Sequence, residues 1–331
     1  MPATPLSLLD LLPVASGVTP AEVIRGAAGL ARHVEQLGFA RYWVAEHHNM
    51  PSIASSAPEV LIAHVAALTS RIHVGAGGIM LPNHTPLRIV EIFRTLAALH
   101  PGRIDLGLGR APGTDPVTSS ALRRGAADDP NERLAEMLAF DRGGFPPNHP
   151  FAAVMAMPSD TRLPETWMLG STLTGASIAA QLGLRYAFAG HFAMRHARAA
   201  IRHYRERFTP SAELTAPHAM LAITVVCGTD DAHARELAAP IRLAIAHSRT
   251  GKRLPIASVQ EALAHTFTPE ESAFADDFLH GAIVGGPERV RDELARIVDE
   301  TGADELMLSG LMPDLSERMR SLDRVARVAG L

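Results

Sequence analysis

Thr19-Pro20-Ala21-Glu22-Val23, running through Leu37-Gly38 to Tyr42-Trp43-Val44, is the stretch that decides the fold. It opens with a hydroxyl residue three places before a glutamate, the capping-box pattern, and puts proline in the first turn, where its missing N–H costs nothing. Val23, Ala27, Leu30, Val34 and Leu37 then recur at helical spacing and form one apolar stripe. Glycine stops the helix, and a compact apolar run follows at once. The same succession of helix, stop and buried run recurs before Ile72-His73-Val74, Ile104-Asp105-Leu106, Tyr186-Ala187-Phe188 and Leu306-Met307-Leu308. Ser56-Ala57-Pro58-Glu59 reads as a second capping box, and Gly286-Pro287-Glu288 opens a further helix. Ala222-Ile223-Thr224-Val225-Val226 is apolar on both faces, as a parallel strand covered by helices must be. Residues 1–13 are expected to form the first strand.

Alternating helix and strand make the class α/β. About eight strand candidates can be counted, and 331 residues exceed the roughly 250 that a closed barrel needs. The expected architecture is therefore a (β/α)8 TIM barrel, one domain over residues 1–331, with insertions at the carboxyl face of the strands. The surplus falls at 111–164, with one helix expected near 131–140, and at 249–281. Segments that long in a compact domain are usually lids or binding loops.

The net charge of -4 is spread along the chain, so no field gathers nucleic acid or an anionic membrane. No apolar run reaches the 18 or so residues of a membrane span. A single cysteine, Cys227, excludes an intramolecular disulfide framework and a cysteine-rich metal site, and points to the cytoplasm. At the end of a strand it reads as a small hydrophobe.

Polar residues gather where strands end. After the second strand comes Glu46-His47-His48-Asn49-Met50-Pro51. Successive residues of an extended segment point to opposite sides, so they do not converge on one metal, and a histidine there suits acid or base work. After the third comes Val74-Gly75-Ala76-Gly77-Gly78-Ile79-Met80-Leu81-Pro82, where glycines mark close approach of backbone or of a flat ligand. After the fourth comes Gly107-Leu108-Gly109-Arg110-Ala111-Pro112-Gly113. Its spacing is wrong for a dinucleotide fingerprint, and Pro112 stands where a helix should donate N–H groups. Arg110 suits a phosphate. Beyond the fifth, Gly170-Ser171-Thr172-Leu173-Thr174-Gly175 enters a helix whose first N–H groups either are capped by the hydroxyls or bind an anion.

Ala45 to Asn49, Val74 to Pro82, and Pro101-Gly102-Arg103-Ile104-Asp105-Leu106-Gly107-Leu108-Gly109-Arg110 together resemble the signature segments of the luciferase-like monooxygenases, in the family's order and spacing. Val284-Gly285-Gly286-Pro287 and Ala303-Asp304-Glu305-Leu306 extend the likeness over nearly the whole chain. The resemblance implies that reduced FMN binds at the carboxyl mouth and, with dioxygen, oxygenates a small organic substrate. It implies that His47 is the catalytic histidine, Glu46 a carboxylate structuring the site, and Arg110 the phosphate arginine. It places a non-prolyl cis peptide under the flavin ring at Gly77-Gly78, makes Ser171 and Thr174 phosphate or ribityl contacts, and suggests a homodimer. Gly109 and Gly170 stand where luciferase itself carries cysteine and glutamate, so its aldehyde pocket and light emission are not expected. With no nicotinamide-binding turn in the chain, a separate NAD(P)H-dependent flavin reductase is the expected partner. Two rival readings keep the fold: a deazaflavin-dependent dehydrogenase or reductase, and a flavin-binding protein without turnover. A metal hydrolase would want His-x-His at the end of the first strand, where Asp10-Leu11-Leu12-Pro13 has none.

Overall fold

The computed structural model describes residues 4–122 and 129–331. Nine strands lie among them: β1 (Leu6–Asp10), β2 (Arg41–Val44), β3 (His73–Met80), β4 (Ile104–Gly109), β5 (Glu165–Gly170), β6 (Arg185–Ala189), β7 (Ala219–Cys227), β8 (Ile283–Gly285) and β9 (Glu305–Ser309). Eight of them run parallel around a closed ring, β1 through β7 and then β9, with β6–β7 and β9–β1 completing it. Each ring strand leads to a helix, from Pro20–Gln36 after β1 to Leu315–Ala329 after β9, and the architecture is a (β/α)8 barrel.

The Thr19 capping box forms as its sequence dictates: Thr19 N–H donates to Glu22 Oε2 at 2.8 Å and Glu22 N–H to Thr19 Oγ1 at 3.3 Å. The Ser56 box does not form. The helix Pro58–Leu68 takes Ala57 as its N-cap, which has no side-chain acceptor, and leaves Ser56 one position too far out.

The segment 111–164 holds two helices, Pro116–Leu122 and Pro130–Arg142, where one was expected; residues 123–128 of it lie outside the described residues. The first is announced by Asp115, whose carboxylate accepts the N–H groups of Val117 and Thr118, both at 3.1 Å. The second is clamped by buried Arg94, which donates to Asp141 at 2.9 and 3.0 Å and to the Ala156 carbonyl at 2.7 Å. The segment 249–281 is the middle of a longer excursion that leaves the end of β7. It begins with helix Asp231–Arg249, continues through Val259–Ala264 and Pro269–Phe278, and returns by β8, which pairs only with Val225 to Cys227 of β7. Helix Pro287–Thr301 then resumes the barrel.

Inside the barrel the period of two sorts side chains into layers. Leu9, Trp43, Trp167, Ala187, Met220 and Met307 fill the middle, with Trp43 and Trp167 edge to face at 5.4 Å. The tryptophans explain part of the glycine in β3, because a Cβ at Gly75 or Gly77 would stand 2.8 and 3.0 Å from the Trp43 ring. Below them Arg41 Nη1 lies 2.7 Å from Asp105 and 3.1 Å from Glu165, and Nε 3.1 Å from Glu305. Burial works against ionisation of Asp105 and Glu305. The Arg41 charge and their hydrogen bonds nonetheless hold both carboxyls below the usual range. Among the described residues no helix is long and apolar enough to cross a membrane.

Removing one partner from a buried ion cluster leaves uncompensated charge, so Arg41→Met should lower unfolding free energy by about 3–5 kcal/mol. Urea denaturation measures it. A loss below about 1 kcal/mol would show that water already solvates the three carboxylates.

Candidate active site

Extended backbone at the end of β2 turns Glu46 and His48 to one side and His47 to the other. Glu46 has no exposed surface. It accepts hydrogen bonds from Met80 N–H at 2.7 Å, Asn83 Nδ2 at 2.8 Å, His48 Nε2 at 2.9 Å and His84 Nε2 at 3.0 Å. Burial opposes its charge, but His84, Asn83 and Met80 N–H keep the carboxyl below its ordinary range, and Glu46 in return raises His84 despite that residue's own burial. Asn83 also donates to the Pro112 carbonyl at 2.9 Å, so one carboxylate ties together the segments that follow β2, β3 and β4. Asn83 and His84 were missed in the sequence, although they directly follow Pro82 at the end of the quoted glycine run.

His47 is half-buried, and its Nδ1 lies 3.3 Å from the Gly113 carbonyl. A carbonyl only accepts, so Nδ1 carries the proton and Nε2 is left as the basic atom. Burial lowers its pKa. A second imidazole stands nearby. His191 belongs to the short helix Gly190–Ala193 directly after β6 and is pushed down to about 4, by burial first and also by the His47 charge. Its Nδ1 is buried and has no hydrogen-bond partner among the described residues. His191 too was missed, although Gly190-His191-Phe192 follows a strand end as His47 does.

Arg110 is the residue after β4. Its Nε is buried without an acceptor among the described residues, and its charge bears on Tyr186. The Tyr186 hydroxyl in turn donates to the Thr172 carbonyl at 3.3 Å. Thr172 is the N-cap of helix Leu173–Leu182 and makes no side-chain capping bond, so the hydroxyls do not consume the helix's first N–H groups. Ser171 is half-buried and Thr174 exposed at the same helix start. A guanidinium whose Nε lacks an acceptor among the described residues, beside an uncapped helix start, is a donor set matched to phosphate.

The Gly77-Gly78 peptide is cis. A Cβ at Gly78 would come within 2.6 Å of the Gly107 carbonyl oxygen, so close packing of β3 on β4 itself requires glycine there. At the opposite end of the barrel His73, Asp105 and Glu165 have the spacing of a metal site, but the Arg41 guanidinium already supplies the cation between Asp105 and Glu165.

A parallel barrel with imidazoles and an open guanidinium at its carboxyl mouth has its polar groups where barrel enzymes keep their sites. The comparisons narrow this: the luciferase-like monooxygenase family model matches residues 6–305, the chain belongs to that family, and its monooxygenase relatives make it an oxygen-incorporating oxidoreductase. It is 41% identical over 320 residues to a luciferase-like monooxygenase of Escherichia coli, covering 96% of this chain and 94% of that one. It is 40% identical over 187 residues to the N-acetyl-S-alkylcysteine monooxygenase of Bacillus subtilis, covering 56% of each. The crystal structure of apo-MsnO8 superimposes with a TM-score of 0.90 at 36% identity, covering 99% of this chain and 98% of that one.

Because the folded His191 titrates near 4 and an ordinary histidine near 6.5, the unfolded chain binds more protons between these values, and stability falls as pH drops through that window. His191→Gln should flatten this acid limb in calorimetric Tm against pH. Superimposable slopes for the two proteins would show that the imidazole titrates normally when folded.

Proposed function

We propose that this protein is a monooxygenase that takes reduced FMN at the carboxyl mouth and, with dioxygen, oxygenates a small organic substrate. The observation that carries the reading is Arg110, whose buried Nε lacks an acceptor among the described residues, beside the uncapped helix start that holds Ser171 and Thr174. Arg110, those hydroxyls and the helix N–H groups would hold the phosphate, and the backbone at Gly77 and Gly78 would lie beneath the ring. The bound flavin supplies the electrons and the reaction with dioxygen. His47, neutral near pH 7, takes up or returns a proton at Nε2. Glu46 fixes the loop on which His47 stands. The segments 111–164 and 249–281 serve as lids that keep water from the mouth.

The partner set follows the same reading. Reduced flavin arrives from a separate NAD(P)H-dependent reductase, since Pro112 and Arg110 interrupt the chain's one glycine-rich turn of that kind. A homodimer is supported by exposed Val60, Leu68 and Leu99 on neighbouring barrel helices, and a cytoplasmic location by the lone, buried Cys227.

Arg110→Ala should weaken FMN by about 10–100-fold, the loss of one charge-assisted contact, and leave riboflavin nearly unchanged. Equal losses for the two ligands, measured by flavin fluorescence, would remove Arg110 from the phosphate. With FMN and NADH or NADPH, the purified protein should not oxidise the nicotinamide until a flavin reductase is added. Fast, saturable oxidation without the reductase would make the protein self-contained.

A further inference from the structure

The ring order sets His47 and His191 against each other. β2 and β6 lie four strands apart whichever way the ring is followed, so they face across the barrel axis. Trp43 and Ala187 share the middle layer of the interior, and each histidine stands four residues further along its chain segment, above that layer. Gly190 brings the His191 segment hard against β7, since a Cβ there would come within 2.7 Å of the Ala222 carbonyl oxygen. A proton on His47 works against one on His191, so the two rings lie within electrostatic reach. The interior of an eight-stranded barrel is only just wide enough for side chains to fill. The two imidazoles therefore divide the mouth into halves.

One half, over β3, β4 and β5, holds Gly77, Gly78, Arg110 and Ser171. The other lies over β7, β9 and β1. There strand alternation carries the inward face from Met220 to Thr224, from Met307 to Ser309 and from Leu9 to Leu11. None of these side chains is charged. Above them Val226 and Leu311 pack with Leu237, Ile241 and Phe278 of the excursion after β7, which roofs this half with apolar surface. The roof reaches the segment of His191: the Phe278 ring lies 5.8 Å from that of Phe192, which lies 4.1 Å from the His191 ring.

We propose that His191 faces the organic substrate, which sits in the half over β7, β9 and β1, and that the part of the substrate entering there is uncharged, mostly apolar and hydrogen-bonded to His191. This rests on the reading that Arg110 holds the flavin phosphate, because a flavin over β3 to β5 leaves only the opposite half beside it. At neutral pH the His191 ring is uncharged and offers one donor and one acceptor nitrogen. A carboxylate or ammonium group in this half would lose its water without gaining a counter-ion, which a single hydrogen bond does not offset. The two histidines thus have separate tasks, His47 toward the flavin and His191 toward the substrate.

The test uses benzamide, an uncharged ring compound whose amide both donates and accepts, with benzoate and benzylammonium as charged counterparts. The full-length protein, labelled with 13C in its histidine rings and saturated anaerobically with photoreduced FMN so that Arg110 is occupied, is titrated with each compound by NMR. His191→Gln and His47→Asn assign the two signals. Benzamide should shift the His191 signal saturably without releasing FMN, and neither ion should. In ligand-observed spectra His191→Ala should weaken benzamide by about three- to tenfold, the loss of one hydrogen bond, and His191→Gln should restore most of it, with FMN affinity unchanged in both. No shift of His191, an equal response to either ion, release of FMN, or undiminished benzamide affinity in His191→Ala would each overturn the proposal. Failure of the unaltered protein to bind reduced FMN, or full FMN affinity in Arg110→Ala, would overturn the flavin reading first and the proposal with it.

Discussion

Arg41 sits inside the barrel with its guanidinium against Asp105, Glu165 and Glu305, beneath the Trp43 and Trp167 rings. Its charge balances carboxylates contributed by β4, β5 and β9, so a single side chain from β2 joins four strands across the barrel axis. The Arg41 guanidinium also lies 4.8 Å from the Trp167 ring centroid, which couples this polar floor to the apolar layer above. An ion cluster of this kind is a poor source of net stability compared with apolar packing, but it fits together in only one arrangement of the strands. With the amino end plugged, ligand access is left to the carboxyl end.

At that end Glu46 has the corresponding part. It is as deeply buried as Asp105, but its partners are N–H groups and imidazoles from the ends of β2 and β3. Holding them leaves His47 and His191 on the inner side as neutral bases, each kept so mainly by burial. Arg110 stands by the helix Leu173–Leu182 with donors to spare. The two ends of one barrel thus use buried carboxylates differently: the floor satisfies its charges internally, and the mouth leaves a donor open for a ligand.

The strand and helix alternation was legible because a ring strand buried on both faces must be a short apolar run, and each run ends at a helix with its own stop signal. The start of the excursion after β7 was not legible in this way. Helix Asp231–Arg249 has the length and capping of a barrel helix, and only the pairing of β8 with the last residues of β7 shows that it lies outside the repeat. Glu46, His47 and Arg110 stood out in the sequence as polar residues at strand ends, and the roles expected of them rest on the family resemblance. His191 and His84 were not, since nothing local distinguishes a mouth histidine from a surface one; burial across distant segments does that. The glycines of β3 carried a double meaning. Local sequence marks close approach, but not that Trp43 and the Gly107 carbonyl are among the groups that approach. The buried ion pair of Asp10 with Arg318 likewise joins residues some 300 positions apart, beyond any local pattern.

The central claim is that the mouth is built for reduced FMN. Anaerobic titration reads it most directly, with quenching of Trp43 and Trp167, the chain's two tryptophans, as the signal. Photoreduced FMN should saturate at one molecule per chain and bind more tightly than oxidised FMN, with a reduced deazaflavin far weaker. Saturation by the deazaflavin with no response to reduced FMN would contradict the account.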